Sequence, residues 1–228
     1  GMFGHKLFPH QLFACRVVAL AQAGEHNSAV SLVAFILDSS ESATIFLFEK
    51  QKAFVLSFST RLAMLQVLGW TMKVRMAALQ YSSSVSIEHR FSDWKDLDYF
   101  HGQVSTMNYI GHGTYTTYAI TNASQLLVQE TPEDSVRVAV LMTDGVDHPR
   151  NPDVIAAAAE AKGHGIKFFA VGLSDIAQQN KAKLRAIAST PAQQFVQSLS
   201  VEQSSAVCSS FPRNPSAPKA QYGFTNFV

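Results

Sequence analysis

The apolar positions of this chain fall into short continuous runs, separated by longer stretches with helical spacing. Ser31-Leu32-Val33-Ala34-Phe35-Ile36-Leu37 is apolar after its first residue and stops at Asp38. A run of that length without polar alternation is how a strand covered on both faces reads. Val136 to Met142 and Ile166 to Leu173 repeat the pattern, and the first of these ends at Thr143-Asp144-Gly145. Ile45 to Leu65 carries Phe54, Phe58, Leu62 and Leu65 at helical spacing on one face. Leu97 to Met107, Thr116 to Gln129 and Lys181 to Ser189 predict further helices, the second with Ile120, Ala123 and Leu127 on one face. Asn151-Pro152 predicts the start of an alanine-rich helix with Asn151 as N-cap, and Gly163-His164-Gly165 predicts its end. Val74 to Tyr81 and Val85 to Ile87 predict a hairpin across a serine turn, and Gln194 to Gln197 a short last strand.

Strands alternating with helices predict an α/β fold, a doubly wound and mostly parallel sheet flanked by helices on both faces. Such sheets bind ligands beyond the carboxyl ends of their strands, where the strand order reverses. The loops after Leu37 and Met142 are therefore where chemistry is expected. The patterned region, residues 30–200, forms one expected domain. Residues 1–29 form an N-terminal extension and residues 201–228 a Ser/Pro-rich tail without helical period, expected to be disordered. In the extension, Lys6 precedes an apolar stretch ending in Ala21-Gln22-Ala23, which resembles a weak secretory signal interrupted by Arg16.

Composition narrows the function classes. With 228 residues, 47% hydrophobic and 15% charged, the chain has enough apolar material for a core. A formal net charge of +1, with scattered Lys and Arg, gives no footprint for nucleic acid. No apolar run is long enough to span a bilayer. The twelve glycines follow no G-X-Y period, which excludes a collagen triple helix within this chain. Cys15 and Cys208 flank the patterned region. They leave two readings, unrelated thiols or one disulfide joining the ends of a secreted domain. Neither belongs to a CxxC pair, so a zinc site of that type is excluded.

The candidate chemistry lies in three loops. Asp38-Ser39-Ser40-Glu41-Ser42 places a carboxylate and two hydroxyls on one tight turn after the first strand. These are hard oxygen donors, suited to Mg²⁺ or Mn²⁺ rather than Zn²⁺. Taken alone, the same residues also read as a serine-rich turn in which Ser42 caps the next helix. Gly111-His112-Gly113-Thr114-Tyr115-Thr116 adds a glycine-rich loop with a hydroxyl at Thr114, and Thr143-Asp144-Gly145 a second carboxylate. Each also reads as an ordinary turn.

Together, Asp38, Ser40, Ser42, Thr114 and Asp144 match in type and order the metal-ion-dependent adhesion site of von Willebrand factor A-type domains, and the chain resembles that family over roughly Ser31 to Leu199. The resemblance implies an adhesion module that holds a Glu or Asp of a matrix or cell-surface protein through a bound Mg²⁺ or Mn²⁺. It implies direct ligation by Ser40 and Ser42, and by Thr114 once a ligand is bound, with Asp38 and Asp144 acting partly through water. Glu41, His112, Tyr115, Asp147 and His148 fall where a ligand rim would lie. Leu37 to Ser42, Ala77 to Ser82 and Gly113 to Thr116 look like the A domains of collagens, notably collagen VI and collagen XXVIII alpha chains. That likeness implies a secreted matrix protein, with homo-oligomers formed through a collagenous region absent here. One departure stands out. A-type domains close with an amphipathic helix after the last strand, whereas Val201-Glu202-Gln203-Ser204-Ser205 leads here into the tail.

Asn122-Ala123-Ser124 is an N-glycosylation sequon, which matters for a secreted protein. Trp70 and Trp94 read as packing residues. Two other functions compete with adhesion. One is structural self-assembly of a collagen-like matrix protein without a working metal site. The other is a metal-dependent hydrolase, against which stand the absence of a G-x-S-x-G elbow and of a phosphate loop, and a serine at position 40 where phosphotransferases carry a second aspartate. The expected reading is therefore not an enzyme.

Overall fold

The computed structural model describes residues 28–64, 71–174 and 179–199, together with helical positions Ala14, Arg16, Val17, Ala19 and Leu20. The strands are β1 (Ser28–Asp38), β2 (Thr71–Tyr81), β3 (Val85–His89), β4 (Val136–Thr143), β5 (Lys167–Gly172) and β6 (Val196–Ser198). The helices are α1 (Thr44–Met64), α2 (Leu97–Ser105), α3 (Thr116–Glu130), α4 (Val154–Gly163) and α5 (Lys181–Ile187). The strands form a single sheet in the order β3-β2-β1-β4-β5-β6. All neighbouring pairs are parallel except β2 with β3, the predicted hairpin. The doubly wound, mostly parallel architecture is therefore as expected.

Period-2 geometry divides β1 between two cores. Val33, Phe35 and Leu37 face one side with Phe48, Val55, Phe58 and Leu62 of α1 and Phe100 and Val104 of α2. Leu32, Ala34 and Ile36 face the other with Ala119, Ile120, Ala123 and Leu127 of α3 and Ala158 and Ala161 of α4. Burial on both faces explains why β1 and β4 carry no polar alternation. Ala14 and Val17 join the first of these cores. Trp94 packs against it as expected, while Trp70 lies outside the described residues.

Two local expectations are corrected. The buried stripe of α1 runs through Phe48, Gln51, Val55, Phe58 and Leu62, and Phe54 is only partly buried. The N-cap of α4 is Asp153, whose carboxylate accepts from Ile155 N and Ala156 N at 3.0 and 3.1 Å. Asn151 instead accepts from Thr117 N at 3.2 Å, so its side chain serves the first turn of α3. An aspartate two residues nearer the helix reaches two free N–H groups at once, which local sequence order alone did not rank.

The chain steps outward from β1 to β2 and β3, then returns to the other side of β1 with β4. The strand order thus reverses between β1 and β4, and the crevice outside their carboxyl ends lies where Asp38 and Asp144 emerge. Cys15, Cys208, the residues 201–228 and any closing helix lie outside the described residues.

Candidate metal centre

Three loops meet at that crevice, and main-chain hydrogen bonds fix their spacing. Gly111 N donates to Ser39 O at 2.8 Å and Glu41 N to His112 O at 2.8 Å, joining the loop after β1 to the loop before α3. Ile110 N donates to Ser39 Oγ at 2.8 Å, and the Tyr109 hydroxyl to Ser40 O at 3.0 Å. Gly111 has φ +82°, and a Cβ there would sit 3.0 Å from Tyr109 Cε1, so the turn needs glycine. His148 N donates to Thr114 O at 2.8 Å, which fastens the loop after β4 to the same place.

The five expected side chains come together. Ser40 Oγ donates to Asp38 Oδ1 at 2.5 Å and lies 3.2 Å from Ser42 Oγ, which lies 3.4 Å from Thr114 Oγ1. Asp144 N donates to Asp38 Oδ2 at 3.3 Å, and Val146 N to Asp144 Oδ1 at 2.9 Å. Asp38, Ser40, Thr114 and Asp144 are buried, while Ser42 is exposed and opens the cluster to solvent.

The electrostatics of this cluster suit a cation. Asp144 Oδ2 is buried and meets no hydrogen-bonding partner. Burial first, and the neighbouring Asp144 second, push the Asp38 carboxyl up to about 7, against the lowering effect of its hydrogen bonds from Ser40 and Asp144 N. Among the described residues, no ion pair involves either carboxylate. Two buried carboxylates without a cationic side chain are costly unless a positive charge joins them. Among the described residues no group of three or more His, Cys, Asp or Glu is placed to hold a metal ion, and the side chains that converge here offer two carboxylates and three hydroxyls. Such a donor set fits a hard divalent cation.

The rim is less uniform than the sequence suggests. Glu41 and His112 are exposed. Tyr115 stacks on His148 with ring centroids 4.8 Å apart and on Tyr118 at 5.9 Å. Asp147 is held inward. Its carboxylate accepts from Thr116 Oγ1 at 2.5 Å and pairs with Lys183 of α5, whose ammonium also donates to Gly145 O at 3.3 Å. Asp147 is therefore a strut under the loop rather than a free contact, and a lysine in a distant helix gave no local signal for it. Sequence reasoning also missed Gln51, a polar residue on the apolar stripe of α1, whose carboxamide binds both main-chain groups of Asp38.

A mostly parallel sheet with its hydroxyl-rich crevice at the switch point defines the class of domain. The family model of the von Willebrand factor type A domain matches residues 33–208, and the chain belongs to that family. It is 32% identical to mouse matrilin-2 over 181 residues, covering 76% of this chain and 18% of the relative. It is 33% identical to mouse matrilin-1 over 186 residues, covering 75% of this chain and 33% of the relative. The chain thus spans about a fifth to a third of these relatives' length. Matrilins are secreted extracellular-matrix proteins. The collagen likeness read from local wording concerns the same domain family.

In fold, the chain is similar to proximal thread matrix protein 1 of the mussel byssus, with TM-score 0.62, 17% identity, and coverage of 75% of this chain and 44% of that one. A second structure of the mussel protein, with TM-score 0.60 and 16% identity, carries zinc in its metal-ion-dependent adhesion motif. Domains of this family commonly bind a metal there.

Proposed function

We propose that this domain is an extracellular-matrix adhesion module that captures an acidic side chain of a protein partner through a divalent cation. The observation that carries the reading is the convergence of Asp38, Ser40, Ser42, Thr114 and Asp144 around two buried carboxylates, one with an unpaired oxygen. Mg²⁺ is the ion we assign, with Mn²⁺ as its substitute, because all the donors are hard oxygens.

When bound, the ion would supply a positive centre with few anionic ligands of its own, to which a Glu or Asp carboxylate binds. The chain's own residues do the rest. Ser40 and Ser42 would hold the ion directly, with Thr114 joining when the partner carboxylate arrives. Asp38 and Asp144 would balance its charge while their hydrogen bonds fix their orientation. Exposed Ser42 would mark the open side, with Glu41, His112 and the Tyr115–His148 stack as the surfaces a partner meets next. A stacked Tyr–His pair offers wide contact area with little side-chain freedom to lose.

The test uses a panel of purified extracellular-matrix proteins on a sensor surface, probed with this chain in Mg²⁺ and then in EDTA. Capture that EDTA abolishes and Ser42→Ala weakens supports the reading. Capture that is indifferent to EDTA, or metal-free association of the chain with itself alone, overturns it in favour of structural assembly.

A further inference from the structure

The crevice contains one residue that no motif assigns, Gln51 of α1. The β1–β4 ladder ends at Ile36↔Leu141, whereas the β1–β2 ladder continues to Asp38↔Tyr81. Ser39 N donates to Tyr81 O at 2.8 Å, so it points toward β2. Successive residues of a strand direct their main-chain groups to opposite sides, and the N–H and C=O of Asp38 therefore face the side where β4, which runs on beside β5 to Thr143, no longer pairs with β1. Gln51 takes that place. Asp38 N donates to Gln51 Oε1 at 2.7 Å, and Gln51 Nε2 donates to Asp38 O at 2.8 Å. The carboxamide copies the donor and acceptor of one missing strand residue.

Gln51 is fully buried, with Phe48 and Val55 one turn away on the same helix face, both in the core. A carboxamide there is justified only by the two bonds it makes, since an apolar residue would pack as well and leave two buried backbone groups unpaired. The residue so held is the one whose two carboxylate oxygens accept from Ser40 and from Asp144 N. We propose that Gln51 is a positioning residue of the metal site, a side-chain substitute for a strand neighbour that keeps the Asp38 carboxylate in register with Ser40 and Asp144. This inference rests on the metal-site reading.

The test compares the full chain with Gln51→Met, which keeps volume and loses both bonds, and with Val55→Ala, a packing change one turn along the same face. Mg²⁺ affinity is measured by calorimetry well below each protein's unfolding temperature. Exchange of the Asp38 and Ile36 amide hydrogens is followed by NMR in EDTA. Gln51→Met is expected to bind Mg²⁺ about tenfold or more weaker, a difference of about 1.4 kcal/mol. It is also expected to speed exchange at Asp38 but not at Ile36. Val55→Ala is expected to lower the unfolding temperature while keeping Mg²⁺ affinity. Wild-type affinity in Gln51→Met, or an equal loss in Val55→Ala, overturns the proposal. If the wild type binds no Mg²⁺, the metal reading fails, and unchanged Asp38 exchange in Gln51→Met then overturns the positioning claim separately. Gln51→Ser, which leaves room for water to pair with Asp38, provides the same comparison if methionine is not accommodated. Failure of both variants to fold assigns Gln51 a purely structural role and overturns the proposal.

Discussion

Asp144→Asn is expected to stabilise the ion-free domain while abolishing its response to Mg²⁺. The substitution keeps the shape of the side chain and the oxygen that accepts from Val146 N at 2.9 Å. It removes one of two adjacent buried negative charges. The Asp38 carboxyl rises from 3.8 to about 7 in the folded chain, chiefly by burial and next by Asp144. A folded value above the unfolded one means that the folded state binds the extra proton between those limits. The ion-free domain therefore loses stability as pH rises from about 4 to about 7, by roughly 4 kcal/mol in all at about 1.4 kcal/mol per pH unit. Asp144 is the second cause rather than the first, so its share is smaller, on the order of 1–2 kcal/mol. For a chain of this size that amounts to about 3–6 °C in unfolding temperature. Thermal unfolding at about pH 8 in EDTA, and again in millimolar Mg²⁺, measures both effects. The reasoning is refuted if the asparagine variant unfolds earlier than wild type in EDTA, or if it keeps the wild-type gain from Mg²⁺.

Thr44 has φ 64°, a left-handed conformation that costs a β-branched residue about 1–2 kcal/mol. Thr44→Gly removes that cost against about 0.5–1 kcal/mol of extra unfolded-state freedom, so urea unfolding should show a small net gain. A loss above about 1 kcal/mol contradicts the strain argument. Gly145 has φ +82°, and a Cβ there would lie 2.9 Å from Asn180 Cβ. Gly145→Ala should therefore cost about 1–3 kcal/mol by the same assay, and a neutral result would show that the loop after β4 yields easily. Asn122 lies partly exposed on α3 with Nδ2 donating to Tyr118 O at 2.8 Å, which leaves its second N–H for a glycan. Expression through a secretory pathway should give a mass that peptide N-glycosidase lowers and Asn122→Gln abolishes, and an unmodified wild-type mass contradicts this.

Much of the fold was legible because burial on both faces leaves a plain mark. The apolar runs at Leu32–Leu37 and Val136–Met142 located the two strands that bracket the switch point, and Asp38 and Asp144 marked their ends. The hydroxyls followed because Asp-x-Ser-x-Ser fixes donor type and spacing at once. What stayed hidden depends on contacts distant in sequence. Gln51 drew no notice in the sequence, because its role lies in two bonds to the main chain of Asp38, 13 residues away. Asp147 looked free until Lys183, 36 residues away, was placed beside it. Asn151 and Asp153 are both good caps by composition, and only geometry separated the helix each serves.

The central claim is that the crevice binds a divalent cation, and thermal unfolding of the wild-type chain and Asp38→Ala, each in EDTA and in Mg²⁺, tests it most directly. An ion at a hundred times its Kd should stabilise the wild type by about 2.7 kcal/mol, and Asp38→Ala should fold yet show no such gain. An identical wild-type unfolding temperature in both buffers, or a Mg²⁺ gain that survives in Asp38→Ala, would contradict the account.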